Sequence, residues 1–176
     1  TTQLMTAVDF CIREAERMGR PLVINLSYGN NYGSHSGSSL LETYLNDMAN
    51  LHQCSIVTGT GNEGDSRLHY QNRILQNETQ TVEFAVGSYE TRLNLQIWKR
   101  FQDTIQFEVL APDGRSFGIL SGRGTFRLTD GRVTLLIFYG EPVPYSMDQE
   151  IYIDFIPQQG IITSGVWKIR LISENV

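Results

Sequence analysis

Residues 22–29 read Leu-Val-Ile-Asn-Leu-Ser-Tyr-Gly, and residues 54–64 read Cys-Ser-Ile-Val-Thr-Gly-Thr-Gly-Asn-Glu-Gly. Each is a short apolar run that opens into small and polar residues. The first, Leu22 to Leu26, suits a strand covered on both faces, and Ser55 to Gly59 reads as a second buried strand. Helical spacing surrounds them. Leu4, Ala7, Val8, Cys11, Ile12 and Ala15 recur every three to four residues and predict a helix over about 2–18, ended by Gly19 and Pro21. Ser38-Ser39 can cap a second helix over about 38–53, with Glu42 in its first turn. It carries Leu40, Leu41, Tyr44, Leu45, Met48, Ala49 and His52. The order α-β-α-β fits a parallel sheet with right-handed crossovers.

Near residue 78 the period changes to two. Val82, Phe84 and Val86 alternate, as do Leu93, Leu95 and Ile97, then Ile105, Phe107 and Val109. The pattern returns at Val133, Leu135 and Ile137, at Ile151, Ile153 and Phe155, and at Trp167, Ile169 and Leu171. Pro112-Asp113-Gly114 and Asp130-Gly131 supply turns between such runs. With weaker runs near 115–120 and 125–128, about eight short strands are expected, a β-sandwich or jelly roll. The fold class is therefore α/β plus all-β. A partial parallel sheet occupies residues 1–77, and an antiparallel sandwich occupies 78–176. Trp98 and Trp167 are expected in the core. Tyr139, Tyr145 and Tyr152 are candidate exposed aromatics for a binding face.

Composition narrows the partners. The 176 residues are 40% hydrophobic and 19% charged, with a formal net charge of −5. That balance argues against nucleic acid or an anionic membrane as the main partner, since both need a basic face. No apolar run approaches the roughly 18 residues of a membrane span, and no basic start followed by an apolar stretch marks a signal peptide. The chain opens at Thr1 on helical pattern and is expected to be an excised part of something longer. Cys11 and Cys54 lack CxxC spacing and read as buried free thiols. His35, His52 and His69 form no zinc-binding pattern, so no metal is expected. His35 and His69 read as loop residues and His52 as the end of a helix face. Asp113 and Asp130 read as turn residues rather than calcium ligands. The sequon spelled by Asn77-Glu78-Thr79 reads as chance.

The chemistry lies where both parallel strands end. In open α/β sheets that edge binds ligands. Gly59, Gly61 and Gly64 flank Asn62, whose side chain offers a neutral N–H donor. A donor held in a tight turn suits an oxyanion formed only in a transition state. The same tetrapeptide is also a common turn. It lacks the G-x-x-x-x-G-K-[ST] pattern of a phosphate loop, so no nucleotide cofactor is expected.

INLSYG at 24–29 followed by TGTGNEG at 58–64 resembles the subtilisin-like serine proteases, the subtilases. The resemblance implies that Asn62 is the oxyanion-hole amide. It implies that Ser27, Tyr28 and Gly29 form the strand that pairs with an extended substrate, and that Gly59, Thr60 and Gly61 form the opposite wall of the primary specificity pocket. The family orders its triad Asp, His, Ser along the chain. No D-[ST]-G, H-G-[ST] or GTS motif occurs here. The isolated chain is therefore expected to be inert, its parent a serine endopeptidase whose partner is a polypeptide substrate or a pro-segment. The roughly hundred residues of strand pattern after Asn62 resemble the inserted jelly roll of clostridial Csp-type subtilases, the spore-germination proteases. EVLAPDGRSFGIL at 108–120 and SGVWKIRLI at 164–172 more weakly resemble the P domains of proprotein convertases. The resemblance implies a bacterial protein, secreted or spore-associated. A slice of parallel sheet exposes surface, so residues 1–66 are expected to be less ordered than the β half or to form a homo-oligomer through the truncated sheet. The alternative reading is a pseudoprotease, or a peptide- or glycan-binding β-sandwich module.

Overall fold

The structure, a computed structural model, describes residues 1–51, 53–142 and 146–175. The expectations for His52 and Tyr145 fall outside the described residues. Two units divide the chain, Thr1–Tyr70 and Gln71–Val176.

The first unit runs α1 (Thr2–Met18), β1 (Leu22–Leu26), α2 (Leu40–Leu51) and β2 (Cys54–Thr58). Gly19 ends α1 in the left-handed conformation at φ 62°, and its N–H reaches back to the last turn. Helix α2 starts with a reciprocal cap. Ser39 Oγ accepts from Glu42 N–H at 3.3 Å, and Glu42 Oε2 accepts from Ser39 N–H at 2.9 Å. The helices meet where Tyr44 Oη donates to Met5 O at 3.0 Å. Strands β1 and β2 pair in parallel from Leu22↔Cys54 to Leu26↔Thr58.

Two expectations fail in this unit. Strand β1 alternates instead of burying both faces. Leu22, Ile24 and Leu26 are half-buried, while Val23 is 70% and Val57 of β2 is 53% exposed. Two helices suffice to cover one face of a two-stranded sheet and leave the other open. Cys11 is exposed rather than buried. The buried stripe of α1 is Val8, Ile12 and Ala15, and Cys11 lies to one side of it, with Phe10 on the solvent side. Cys54 is half-buried, and burial pushes its thiol pKa up.

The second unit is a two-sheet antiparallel sandwich. Its strands are β3 (Thr79–Val86), β4 (Leu93–Arg100), β5 (Thr104–Leu110), β6 (Ser116–Leu120), β7 (Gly124–Thr129), β8 (Val133–Tyr139), β9 (Asp148–Pro157) and β10 (Gly165–Asn175). One sheet has the order β3-β10-β5-β6 and the other β4-β9-β8-β7. The outer two pairs of a rolled hairpin are present, β3·β10 and β4·β9. The inner strands close as local hairpins, β5·β6 and β7·β8. The turns between them use the residues the sequence offers. Asp113 Oδ1 accepts from Arg115 N–H at 3.2 Å, and Asp130 Oδ1 accepts from Arg132 and Val133 N–H at 2.8 Å each.

Period-two alternation builds one core. Phe107, Val109, Trp167 and Ile169 from one sheet meet Leu135, Ile137, Ile151, Ile153 and Phe155 from the other. Trp167 is fully buried. Its ring sits edge-on to Phe155 at 5.3 Å and stacks near Phe117 at 6.0 Å and Phe84 at 6.5 Å. Its Nε1 donates to Thr163 O at 2.8 Å. Gly165, at the start of the same strand, makes room for Pro112, because a Cβ there would stand 2.9 Å from Pro112 Cβ.

Trp98 is not core. Leu93, Leu95 and Ile97 point inward, so Trp98 lies half-buried on the opposite face of the sheet, its Nε1 donating to Gln96 Oε1 at 3.3 Å. Tyr139 is corrected the other way. It is in phase with Val133, Leu135 and Ile137 and is 6% exposed, stacked near Phe107 at 6.3 Å. Tyr152 does face outward, paired with Phe138 at 6.3 Å.

Glu150 sits opposite Trp98 on the neighbouring strand, and burial pushes its carboxyl pKa above the usual range. A folded-state pKa above the unfolded one gives stability that is present at low pH and lost as pH rises through the folded value. Glu150→Gln is therefore expected to raise the melting temperature of this unit at pH 7, with no gain near pH 3. Thermal melts at both pH values check it. An equal effect at both would show that the charge is not the cause.

Candidate functional site

Strands β1 and β2 end side by side, since Leu26 pairs with Thr58. The two loops that leave this edge carry every residue singled out above. Ser27, Tyr28 and Gly29 follow β1, and Gly59, Thr60, Gly61 and Asn62 follow β2. All seven are exposed. The close pairing of two parallel strands is enough to bring the loops together, because both must exit at the carboxyl edge.

The β1 loop is anchored at its root. Asn25 Nδ2 donates to Ser27 Oγ at 3.1 Å. Tyr28 and Gly29 make no backbone hydrogen bond to a described residue. Their main-chain groups can therefore pair with an extended chain laid beside them.

The β2 loop turns sharply. Gly61 has φ 91°, a conformation that L side chains rarely adopt. The turn closes with Ser66 N–H donating to Glu63 O at 3.1 Å. The Asn62 amide, at the head of this turn, has no hydrogen-bond partner among the described residues. It is a neutral donor free to donate to a ligand oxygen.

Two contacts reach from one loop to the other. Asn31 Nδ2 donates to Glu63 Oε2 at 3.2 Å. The rings of His35 and His69 stack with centroids 5.0 Å apart and planes 16° apart. They border a cavity of about 210 Å³ that Gly64 and Arg67 also line. Neither contact is readable from sequence. His35 and His69 stand 34 positions apart in irregular loops, where no periodicity links them.

No family model and no curated protein matches the sequence. A solved structure does. The CspB protease of Clostridium perfringens superposes with a TM-score of 0.87 over 99% of this chain, at 30% sequence identity. By fold, the chain is similar to that Csp protease. The chain spans 37% of the length of that protease. The match covers both its α/β unit and its β-sandwich, so the two halves occur together in the Clostridium perfringens protein as well.

Proposed function

We propose that the chain is part of a subtilisin-like serine endopeptidase, to which it contributes the oxyanion-hole amide and two walls of the substrate cleft. Asn62 Nδ2 donates to the carbonyl oxygen of the scissile peptide as that oxygen becomes negative. Tyr28 and Gly29, with Ser27, hold the substrate backbone as an added strand, while Gly59, Thr60 and Gly61 form the facing wall of the pocket for one side chain. The observation that carries this reading is the Asn62 amide at the head of its turn, without a hydrogen-bond partner among the described residues, in a turn tied to the loop that carries Tyr28 and Gly29, whose backbone makes no hydrogen bond to a described residue. The similar solved structure, a protease, supports it. Nucleophile and general base would come from outside these residues, so the isolated chain would not cleave peptides. The partner is then a polypeptide substrate or a pro-segment, in a secreted or spore-associated bacterial protein, and the sandwich is the inserted jelly roll of the Csp-type arrangement.

A second reading is a pseudoprotease or a peptide- or glycan-binding module. The outward Phe138–Tyr152 pair favours a binding face on the sandwich. A fluorophosphonate probe on the full-length protein separates the two. Covalent labelling of one serine is expected for the protease. A full-length protein that binds peptide yet takes no label would be a pseudoprotease.

A further inference from the structure

An oxyanion donor acts only when it is held close to its working position, within about 0.5 Å. The turn that carries Asn62 has little stiffness of its own, because Gly59, Gly61 and Gly64 surround the amide. Its rigidity must come from contacts with something else. The structure offers a set of them. Asn31 Nδ2 donates to Glu63 Oε2 at 3.2 Å, and Glu63 follows Asn62 directly. His35 stacks on His69 at 5.0 Å, so the far end of the β2 loop is held as well. His35 Nε2 lies 3.3 Å from Asn31 O, which makes the β1-loop side of the contacts a single unit.

Backbone conformation adds an independent observation. His35 and Arg67 have φ of 56° and 52°, the left-handed region that non-glycine residues avoid. Both border the same cavity. Such residues persist where surrounding contacts over-determine them, and they gather at functional sites.

We infer that Asn31, Glu63, His35 and His69 form a clasp that fixes the Asn62 turn against the Tyr28–Gly29 segment of the β1 loop. These four are positioning residues and touch no substrate. The inference rests on reading Asn62 as the oxyanion donor. A loosened clasp leaves the substrate-pairing segment at 27–29, anchored at its root by Asn25, in place and misplaces the donor, so it lowers kcat and spares KM.

The test uses the full-length protein and three variants, Asn31→Ala, His69→Ala and His69→Phe, with Asn62→Ala alongside. Asn31→Ala and His69→Ala are each expected to lower kcat by about 10- to 100-fold with KM nearly unchanged. His69→Phe keeps a flat ring on His35 and is expected to restore most of kcat. Unchanged kcat in both alanine variants overturns the clasp, and so does a rise in KM with kcat intact. A Phe variant as slow as the Ala variant also overturns it. If Asn62→Ala itself leaves kcat unchanged, the oxyanion reading has failed, and amide hydrogen exchange decides the clasp alone. Faster exchange over residues 59–64 in His69→Ala supports it, and unchanged exchange there rejects it.

Discussion

Asn62→Ala in the full-length protein is expected to lower kcat by about 10²–10³-fold with KM little changed, a magnitude set by the loss of one such donor in subtilisin itself. The direction follows from the site. The Asn62 amide is exposed and has no partner among the described residues, so its removal breaks no internal bond and should leave the fold intact. What it removes is a neutral donor that matters only when the substrate oxygen carries charge, which is why the effect falls on kcat. Asn62→Asp sharpens the test. The shape is kept, the donor becomes an acceptor, and its negative charge opposes the developing oxyanion, so the loss should be at least as large. Steady-state kinetics on a peptide substrate read both. A variant as fast as the wild type would end the oxyanion assignment.

The largest stability effect is expected at Trp167. This side chain is fully buried between the two sheets, touching rings from both. Replacing it with alanine removes apolar contacts and leaves a cavity that a closed sandwich cannot collapse, which costs about 3–5 kcal/mol. A loss of 1 kcal/mol moves the midpoint of a domain this size by about 4–8 °C, so a fall of at least ~12 °C is expected. Trp167→Phe should cost less, because most of the ring area stays and what is lost is chiefly the Nε1 bond to Thr163 O. Thermal and denaturant unfolding of the chain check this. A change below about 1 kcal/mol for Trp167→Ala would show that the sheets do not close around this ring.

The fold was legible wherever a period was sustained. Val133, Leu135 and Ile137 alternate over a full strand, and all three are buried. The misplaced aromatics were errors of phase. Trp98 is one residue past Ile97, so the alternation that turns Leu93, Leu95 and Ile97 toward the core has to turn it outward. Tyr139 is two past Ile137 and had to turn inward. A pleated strand has only two faces, so register decides which way a side chain points, whatever its size and polarity. Cys11 failed for a related reason. A helix stripe read as every third or fourth apolar residue is wider than the stripe that α1 buries at Val8, Ile12 and Ala15. At the candidate site, sequence could place two loops at one sheet edge, since strand direction decides that. It could not reveal the His35–His69 stack or the Asn31–Glu63 bond. Those contacts depend on how two irregular loops fold over each other.

Strands β3 and β10 run side by side, with Thr79 opposite Ile172 and Ser173 N–H donating to Glu78 O at 3.0 Å. The doorway into the sandwich and the way out of it are thus one hydrogen bond apart. A module built this way can be spliced into a single surface loop of a host with almost no extra closure entropy, and lifted out again by joining two neighbouring ends.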